Sequence, residues 1–286
     1  MKRPNLYDRL KVLAILTMIM DHFGYIFFPE MIWLRLVGRI AFPIFLFLVG
    51  FNLSYKRRWD LLLRAIMVQI PVLILAGYFH FGTYALNILF GIIIGRAVLK
   101  GVEGRRSKIE GQKKGLSTLW TLGPLPLRCM LLTIVLLCVH PWLKGFIDYG
   151  SFVILFPLMG WLFKVVEGQR SKVEGQKKGL WTLWTLGPLP LRCMLLTYGV
   201  LIFACLFGFT QTIFGFSSLQ LTILGGFFII LLCIFFVLGQ GNHFLPLGKK
   251  IDAGVLFISK NALLIYIFHL LVLGVIKIFL MWRQSV

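Results

Sequence analysis

Apolar residues in this chain come in blocks of about 15 to 20, separated by short stretches in which most of the Lys and Arg gather. A helix needs about 20 apolar residues to cross a hydrocarbon core about 30 Å thick, so each block has the length of a membrane span. The pattern predicts an all-α fold, a polytopic transmembrane helical bundle of about nine spans near 12–29, 34–54, 64–81, 84–99, 129–143, 147–164, 193–209, 219–238 and 261–280. No intervening segment is long enough for a separate soluble domain, which gives a single membrane domain over 1–286. If the N-terminus is cytoplasmic, the inner-side segments are 1–11, 55–64, 100–128, 164–192 and 240–260. These hold nearly all the loop Lys and Arg, and the opposite loops are nearly uncharged, so the positive-inside rule sets that orientation.

Composition supports the same picture. Of 286 residues, 59% are hydrophobic and the mean hydropathy is +0.89, whereas soluble domains are roughly 45–50% apolar. The net charge of +20 would ordinarily raise the question of nucleic acid. Here the basic residues sit in short loops between apolar blocks, so the charge reports topology and no nucleic-acid partner is expected. The lipid bilayer is the partner that composition implies. Cys129, Cys138, Cys193, Cys205 and Cys233 show no CxxC spacing and act as small hydrophobes, with neither a metal site nor a disulfide framework indicated. The first block follows a basic Met1–Lys11, as a signal peptide would. Asp21 and His22 interrupt it and no small-residue cleavage site follows, which predicts a retained first span.

The chain also repeats itself. VEGRRSKIEGQKKGLSTLWTLGPLPLRCMLLT at 102–133 returns as VEGQRSKVEGQKKGLWTLWTLGPLPLRCMLLT at 166–197, differing only at Arg105/Gln169, Ile109/Val173 and Ser117/Trp181. A repeat inherent to the fold would extend through its period, but the flanks do not match, unlike the paired halves of transporters. The two copies are therefore expected to be inserted elements lodged in cytoplasmic loops, which tolerate added length far better than packed helices do. The alternative is an interfacial patch in which GQKKG and the following Trp-Thr-Leu segment grip anionic lipid.

A charge at mid-bilayer costs at least about 2.5 to 3.5 kcal/mol, so ionisable residues inside spans are candidates for function. In VLAILTMIMDHFGYIFF, Asp21 and His22 lie roughly 14 Å from the inner edge at 1.5 Å per residue, near the midplane. Arg35 and Arg39 in the second span are spaced i,i+4 on one face, and Arg39 falls at about the depth of Asp21. Two opposite charges at matched depth should pair, either as a structural ion pair that fixes helix register or as part of a site. Adjacent residues on a helix diverge by about 100°, so Asp21 and His22 are expected to serve different partners. A neutral imidazole suits proton abstraction from an attacking amine or hydroxyl, which makes His22 the leading general base. His269, in ISKNALLIYIFHLLVLGVI, is again near mid-depth and either joins this polar layer or merely hydrogen-bonds Tyr266 or a neighbouring helix. Gln69, Asn87 and Asp148 are weaker candidates, as interhelical glue or a cap. His80, His140 and His243 fall in expected loops or span ends and are read as interfacial. Lys249, Lys250 and Lys260, on the inner side, either contact phosphate groups or simply obey the positive-inside rule.

No GxGxxG, P-loop, HExxH or GxSxG is present, which removes familiar nucleotide, zinc-protease and serine-hydrolase chemistry. The stretch LKVLAILTMIMDHFGY followed by LRLVGRIAFPIFLFLVGF resembles the signature of the TraX family of bacterial membrane proteins. LNILFGIIIG at 86–95, DYGSFVILFPLMGW at 148–161 and the closing NALLIYIFHLLV resemble further family segments in the same order. The last is also similar to the wider membrane acyltransferase superfamily that includes heparan-alpha-glucosaminide N-acetyltransferase. The resemblance implies a multi-pass protein of the bacterial inner membrane. It also implies a membrane acyltransferase domain that moves an acetyl group from cytoplasmic acetyl-CoA to an amine or hydroxyl acceptor, such as a pilin N-terminus or a glycan. It places Asp21, His22 and Arg39 on the family's motif, with His22 as base and Arg39 or Arg35 pairing Asp21 or polarising the thioester carbonyl. No metal is implied. A transporter or proton-relay protein built on the same midplane layer, and an inactive relative, remain the competing readings of these residues.

Overall fold

The computed structural model describes residues 4–52, 59–79, 88–112, 124–144, 149–176, 189–238 and 248–285. Among these residues every regular element is helical. The helices are α1 (Leu6–Phe27), α2 (Ile32–Gly38), α3 (Ala41–Phe51), α4 (Trp59–Phe79), α5 (Ile88–Gln112), α6 (Pro124–Lys144), α7 (Phe152–Gln176), α8 (Leu189–Phe214), α9 (Ser218–Leu238), α10 (Lys249–Lys260) and α11 (Ala262–Ser285).

Five described stretches are long and apolar enough to cross a bilayer: Leu6–Phe27, Ile32–Phe51, Leu195–Phe214, Ser218–Leu238 and Ala262–Arg283. Leu61–Ile70, Leu132–Leu143 and Phe152–Val165 are shorter apolar helical stretches. Large apolar side chains such as Ile229, Leu264, Phe268, Val275 and Phe279 are exposed along these helices, a surface that suits lipid and not water. The chain is a membrane protein.

The structure departs from the sequence pattern in three places. The expected span at 34–54 is present as the apolar stretch Ile32–Phe51, but its helix is interrupted at Arg39–Ile40, giving α2 and α3. Pro43 explains the break, because it has no N–H for the carbonyl four residues back, that of Arg39, and its ring crowds that carbonyl. Pro43 instead occupies the first turn of α3, where the missing donor costs nothing. The second departure lies in the repeats. The sequence pattern puts both copies in loops, yet their first parts continue α5 to Gln112 and α7 to Gln176, the same position in each copy. Both segments lack proline and are rich in good helix formers, so the preceding helix simply runs on. The stretches 113–123 and 177–188 lie outside the described residues. The third departure is α10, a helix within the expected inner loop 240–260.

The described chain forms two compact units. The first contains α1, α2, α3 to Leu48, α4 from Ile70, α8 from Phe207, and α9 to α11. Here α1 packs against α2, α10 and α11, and α2 packs against α9. A capping box starts α1: the Asn5 side chain accepts from the Asp8 N–H at 2.9 Å while Asp8 accepts from the Asn5 N–H at 3.2 Å. The same turn anchors α10, with the Ser259 hydroxyl donating to Asp8 at 2.7 Å, Lys11 Nζ donating to the Ser259 carbonyl at 2.7 Å and Arg9 lying 3.7 Å from Asp252. Phe47 of α3 stacks on Phe235 of α9 with centroids 3.8 Å apart.

The second unit contains α3 from Val49, α4 to Gln69, α5, α6, α7 and α8 to Leu206. Every residue from Phe152 to Phe163 on α7 is buried, so this helix is apolar all round for a reason. Helix α5 approaches it through Gly91 and Gly95, spaced as in a GxxxG contact. A Cβ at Gly95 would lie 2.6 Å from the carbonyl of Val153, the carbonyl that Pro157 deprives of its helical donor. Thr133 donates to the Tyr198 hydroxyl at 2.9 Å, linking α6 to α8. His140, half-buried near the end of α6, pairs with Ser151. Its Nδ1 accepts from the Ser151 N–H at 3.2 Å and faces the Ser151 hydroxyl at 2.9 Å, with Phe152 edge-on at 4.8 Å. Tyr149 and Gly150, both at positive φ, turn the chain into α7 and bring Ser151 to that imidazole.

Candidate functional site

Sequence order puts Asp21 and His22 one residue apart on α1, and helical geometry turns them toward different neighbours. Asp21 faces α2. The Nη2 of Arg39 donates to both Asp21 oxygens at 3.0 Å, and Arg35 Nε lies 3.5 Å from Oδ1. Asp21 and Arg39 are buried. Both arginines reach one carboxylate because the helical bonding of α2 persists through its C-cap, where the Arg39 N–H donates to the Arg35 carbonyl at 3.1 Å. The close approach also requires Gly38, where a Cβ would fall on that of Asp21.

Aromatic rings surround the charges. The Arg39 guanidinium lies 4.4 Å from the centroid of Phe214, and that of Arg35 lies 4.5 Å from Tyr25 and 5.3 Å from Phe214. Each such contact offsets part of the desolvation of a guanidinium, by about 0.5 to 2 kcal/mol. Sequence reasoning does not find these two residues. Tyr25 is within its reach, being one helical turn beyond Asp21, but Phe214 comes from the far end of α8 and no local signal marks it.

His22 faces α11. Its Nδ1 lies 2.7 Å from Nε2 of His269, and the two rings stack at 5.0 Å with planes 20° apart. On its other side, His269 Nδ1 lies 3.0 Å from the Ile265 carbonyl. Tyr266 packs beside the ring at 5.7 Å. The first unit thus contains two polar groupings on neighbouring faces of α1: a carboxylate with two guanidiniums, and an imidazole with an imidazole.

Lys249, Lys250 and Lys260 are elsewhere. They are exposed on α10, which is anchored to α1 at Asp8 and Lys11, ten or so residues or roughly 15 Å along the helix from Asp21. Gln69 is buried in α4. Asn87, Asp148, His80 and His243 lie outside the described residues.

Comparison with known proteins converges on one family. The family model described as "TraX: TraX protein" matches residues 7–173, which include Asp21, His22, Arg35 and Arg39 but stop short of His269. An uncharacterized protein of Rickettsia prowazekii (strain Madrid E) is 25% identical over 279 residues, covering 97% of this chain and 94% of its own length. Protein TraX of Escherichia coli is 34% identical over 131 residues, which are 43% of this chain and 49% of that protein. No solved structure gives a significant match. With the match extending over more than half its length and taking in the Asp-His and Gly-Arg motifs, this chain belongs to the TraX protein family.

Proposed function

We propose that this protein is a bacterial inner-membrane acetyltransferase that moves an acetyl group from cytoplasmic acetyl-CoA to an amine or hydroxyl acceptor, a pilin N-terminus or a sugar, with His22 as general base. The observation that carries the proposal is the pairing of His22 with His269 inside apolar helices, beside a carboxylate outnumbered by two guanidiniums. Placing these ionisable groups within apolar spans is costly, and holding helices together does not require them. Each group fits a step of acyl transfer. An imidazole takes the acceptor proton. Arg35 and Arg39, held together on Asp21, can donate to the oxyanion that forms when an acceptor attacks the thioester carbonyl.

The proposal includes about nine spans with a cytoplasmic N-terminus in one membrane domain over 1–286, interrupted by the inserted copies at 102–133 and 166–197. In that orientation Lys249, Lys250 and Lys260 face the side from which acetyl-CoA arrives and supply cations for its phosphates. The thioester at the end of the pantetheine arm then reaches inward toward His22. The His22–His269 hydrogen bond also favours a second reading, a proton-relay or transport protein, because paired imidazoles in a bilayer can pass protons.

Radiolabelled acetyl transfer from acetyl-CoA, by purified protein in liposomes and against a panel of amines and sugars, tests the proposal. Transfer or slow acetyl-CoA hydrolysis that disappears in His22→Ala, with insertion intact, supports it. Absence of acetyl-CoA binding and turnover, together with proton flux across the vesicle wall that His22→Ala removes, would replace it with the second reading.

A further inference from the structure

The hydrogen bonds of His22 and His269 fix which ring nitrogen is available for chemistry. The chain of assignments starts at the Ile265 carbonyl, which can only accept. His269 Nδ1, 3.0 Å away, must therefore carry a proton and donate it. In a neutral imidazole the other nitrogen is then an acceptor, so His269 Nε2 presents a lone pair. That lone pair faces His22 Nδ1 at 2.7 Å, and the bond exists only if His22 Nδ1 carries the proton. What remains on His22 is Nε2, unprotonated, and among the described residues it has no hydrogen-bond partner.

The opposite arrangement requires a charged His269 that donates from both nitrogens. The groups facing this pair argue against it. Asp21, one residue from His22, is already engaged by Arg39 and Arg35, and the neighbouring Tyr266 is neutral. A further cation here would stand in an apolar span next to two others with no carboxylate of its own.

We infer that His269 is a positioning residue that holds His22 in the tautomer whose Nε2 lone pair is the basic atom of the site, with the Ile265 carbonyl setting the orientation of His269. An isolated imidazole does not stay in one tautomer. The relay from carbonyl to imidazole to imidazole removes that freedom, as a buried carboxylate does for the base of a hydrolase triad. His269 lies beyond the stretch matched by the family model, and its hydrogen bonds to His22 and Ile265 carry the assignment.

The inference rests on the acetyl-transfer reading for its use. There, the acceptor nitrogen gives its proton to His22 Nε2 as its bond to the acetyl carbon forms. The carbon–sulfur bond breaks, and the departing CoA sulfur takes the proton back from the same Nε2. His22 finishes as it began, with Nδ1–H held on His269 throughout.

The test does not depend on turnover. Nitrogen NMR of protein labelled with ¹⁵N-histidine, in detergent or nanodiscs, separates protonated from bare ring nitrogens, with signals assigned by their loss in His22→Ala and His269→Ala. The expected result for intact protein at neutral pH is Nδ1–H with bare Nε2 on both His22 and His269. In His269→Ala, His22 should lose that preference, whereas His269→Gln, whose amide oxygen still accepts from Nδ1–H, should restore much of it. Where transfer activity is present, His269→Ala should lower kcat by about 10²-fold or more with little change in KM, the range general-base catalysis supplies, and His269→Gln should recover part of the loss. Nε2–H on His22 in the intact protein, a doubly protonated His269, or a His22 tautomer indifferent to His269→Ala would each overturn the inference. Correct tautomers with no acetyl transfer would leave it standing and remove the acetyltransferase reading instead.

Discussion

The two units solve the problem of packing helices in different ways. In the second, α7 is buried from Phe152 to Phe163, α5 closes on it through Gly91 and Gly95, and the polar contacts among the described residues include a Thr–Tyr hydrogen bond and the His140–Ser151 pair. In the first, α1 holds α2 with three charged side chains and α11 with two imidazoles. Small residues let helix backbones approach closely, and the contact of α5 with α7 in the second unit uses them. The first unit instead places ionisable side chains in apolar helices, which is costly, and that cost is what makes its polar layer the candidate site.

Substitutions sharpen the contrast by how each unit fails. The largest effect is expected from Asp21→Ala, which removes the buried carboxylate that Arg39 and Arg35 share. Loss of one partner of a buried pair costs about 3 to 5 kcal/mol, and thermal or chemical unfolding in detergent should show it. Asp21→Ala combined with Arg39→Met should recover much of that loss, because the pair itself contributes little once both desolvation costs are counted. In the second unit, Gly95→Ala should destabilise by about 1 to 3 kcal/mol, since its methyl group would meet backbone and not a movable side chain. Thr133→Val removes one neutral interhelical hydrogen bond and should cost only about 0.6 kcal/mol, the mean for such bonds in a membrane protein. His22→Ala removes one interhelical hydrogen bond and a stacked ring and should destabilise less than Asp21→Ala, while under the proposed function it should abolish acetyl transfer. A loss of stability from His22→Ala as large as that from Asp21→Ala would reduce the imidazole pair to glue and erase the distinction between the units.

Charge depth makes much of the site legible in the amino-acid sequence. Asp21 and Arg39 can be matched because α1 and α2 are adjacent in the chain and a helix rises by a fixed amount per residue, so depth can be counted. The same count places His269 at mid-depth but leaves its partner open, since nothing in a sequence says which of the other helices α11 touches. Phe214 is invisible for that reason. The break between α2 and α3 is legible in Pro43 but hidden by the apolar run around it, and the Gly91–Gly95 spacing carries a packing signal that attention to charged residues passes over. The repeats show the reverse limit. Their basic composition reads as loop, yet composition that is polar and proline-free also extends a helix, and local propensity decides the outcome.

The Asp21–Arg39 pair also bears on how the chain enters the bilayer. Each charge, carried alone into the hydrocarbon, costs at least about 2.5 to 3.5 kcal/mol, a cost that pairing α1 with the segment after it offsets. Only a short turn, from Phe28 to Met31, separates them. A hairpin of the first two spans therefore holds both partners of the Asp21–Arg39 pair, so the charges can be matched using residues made long before His269.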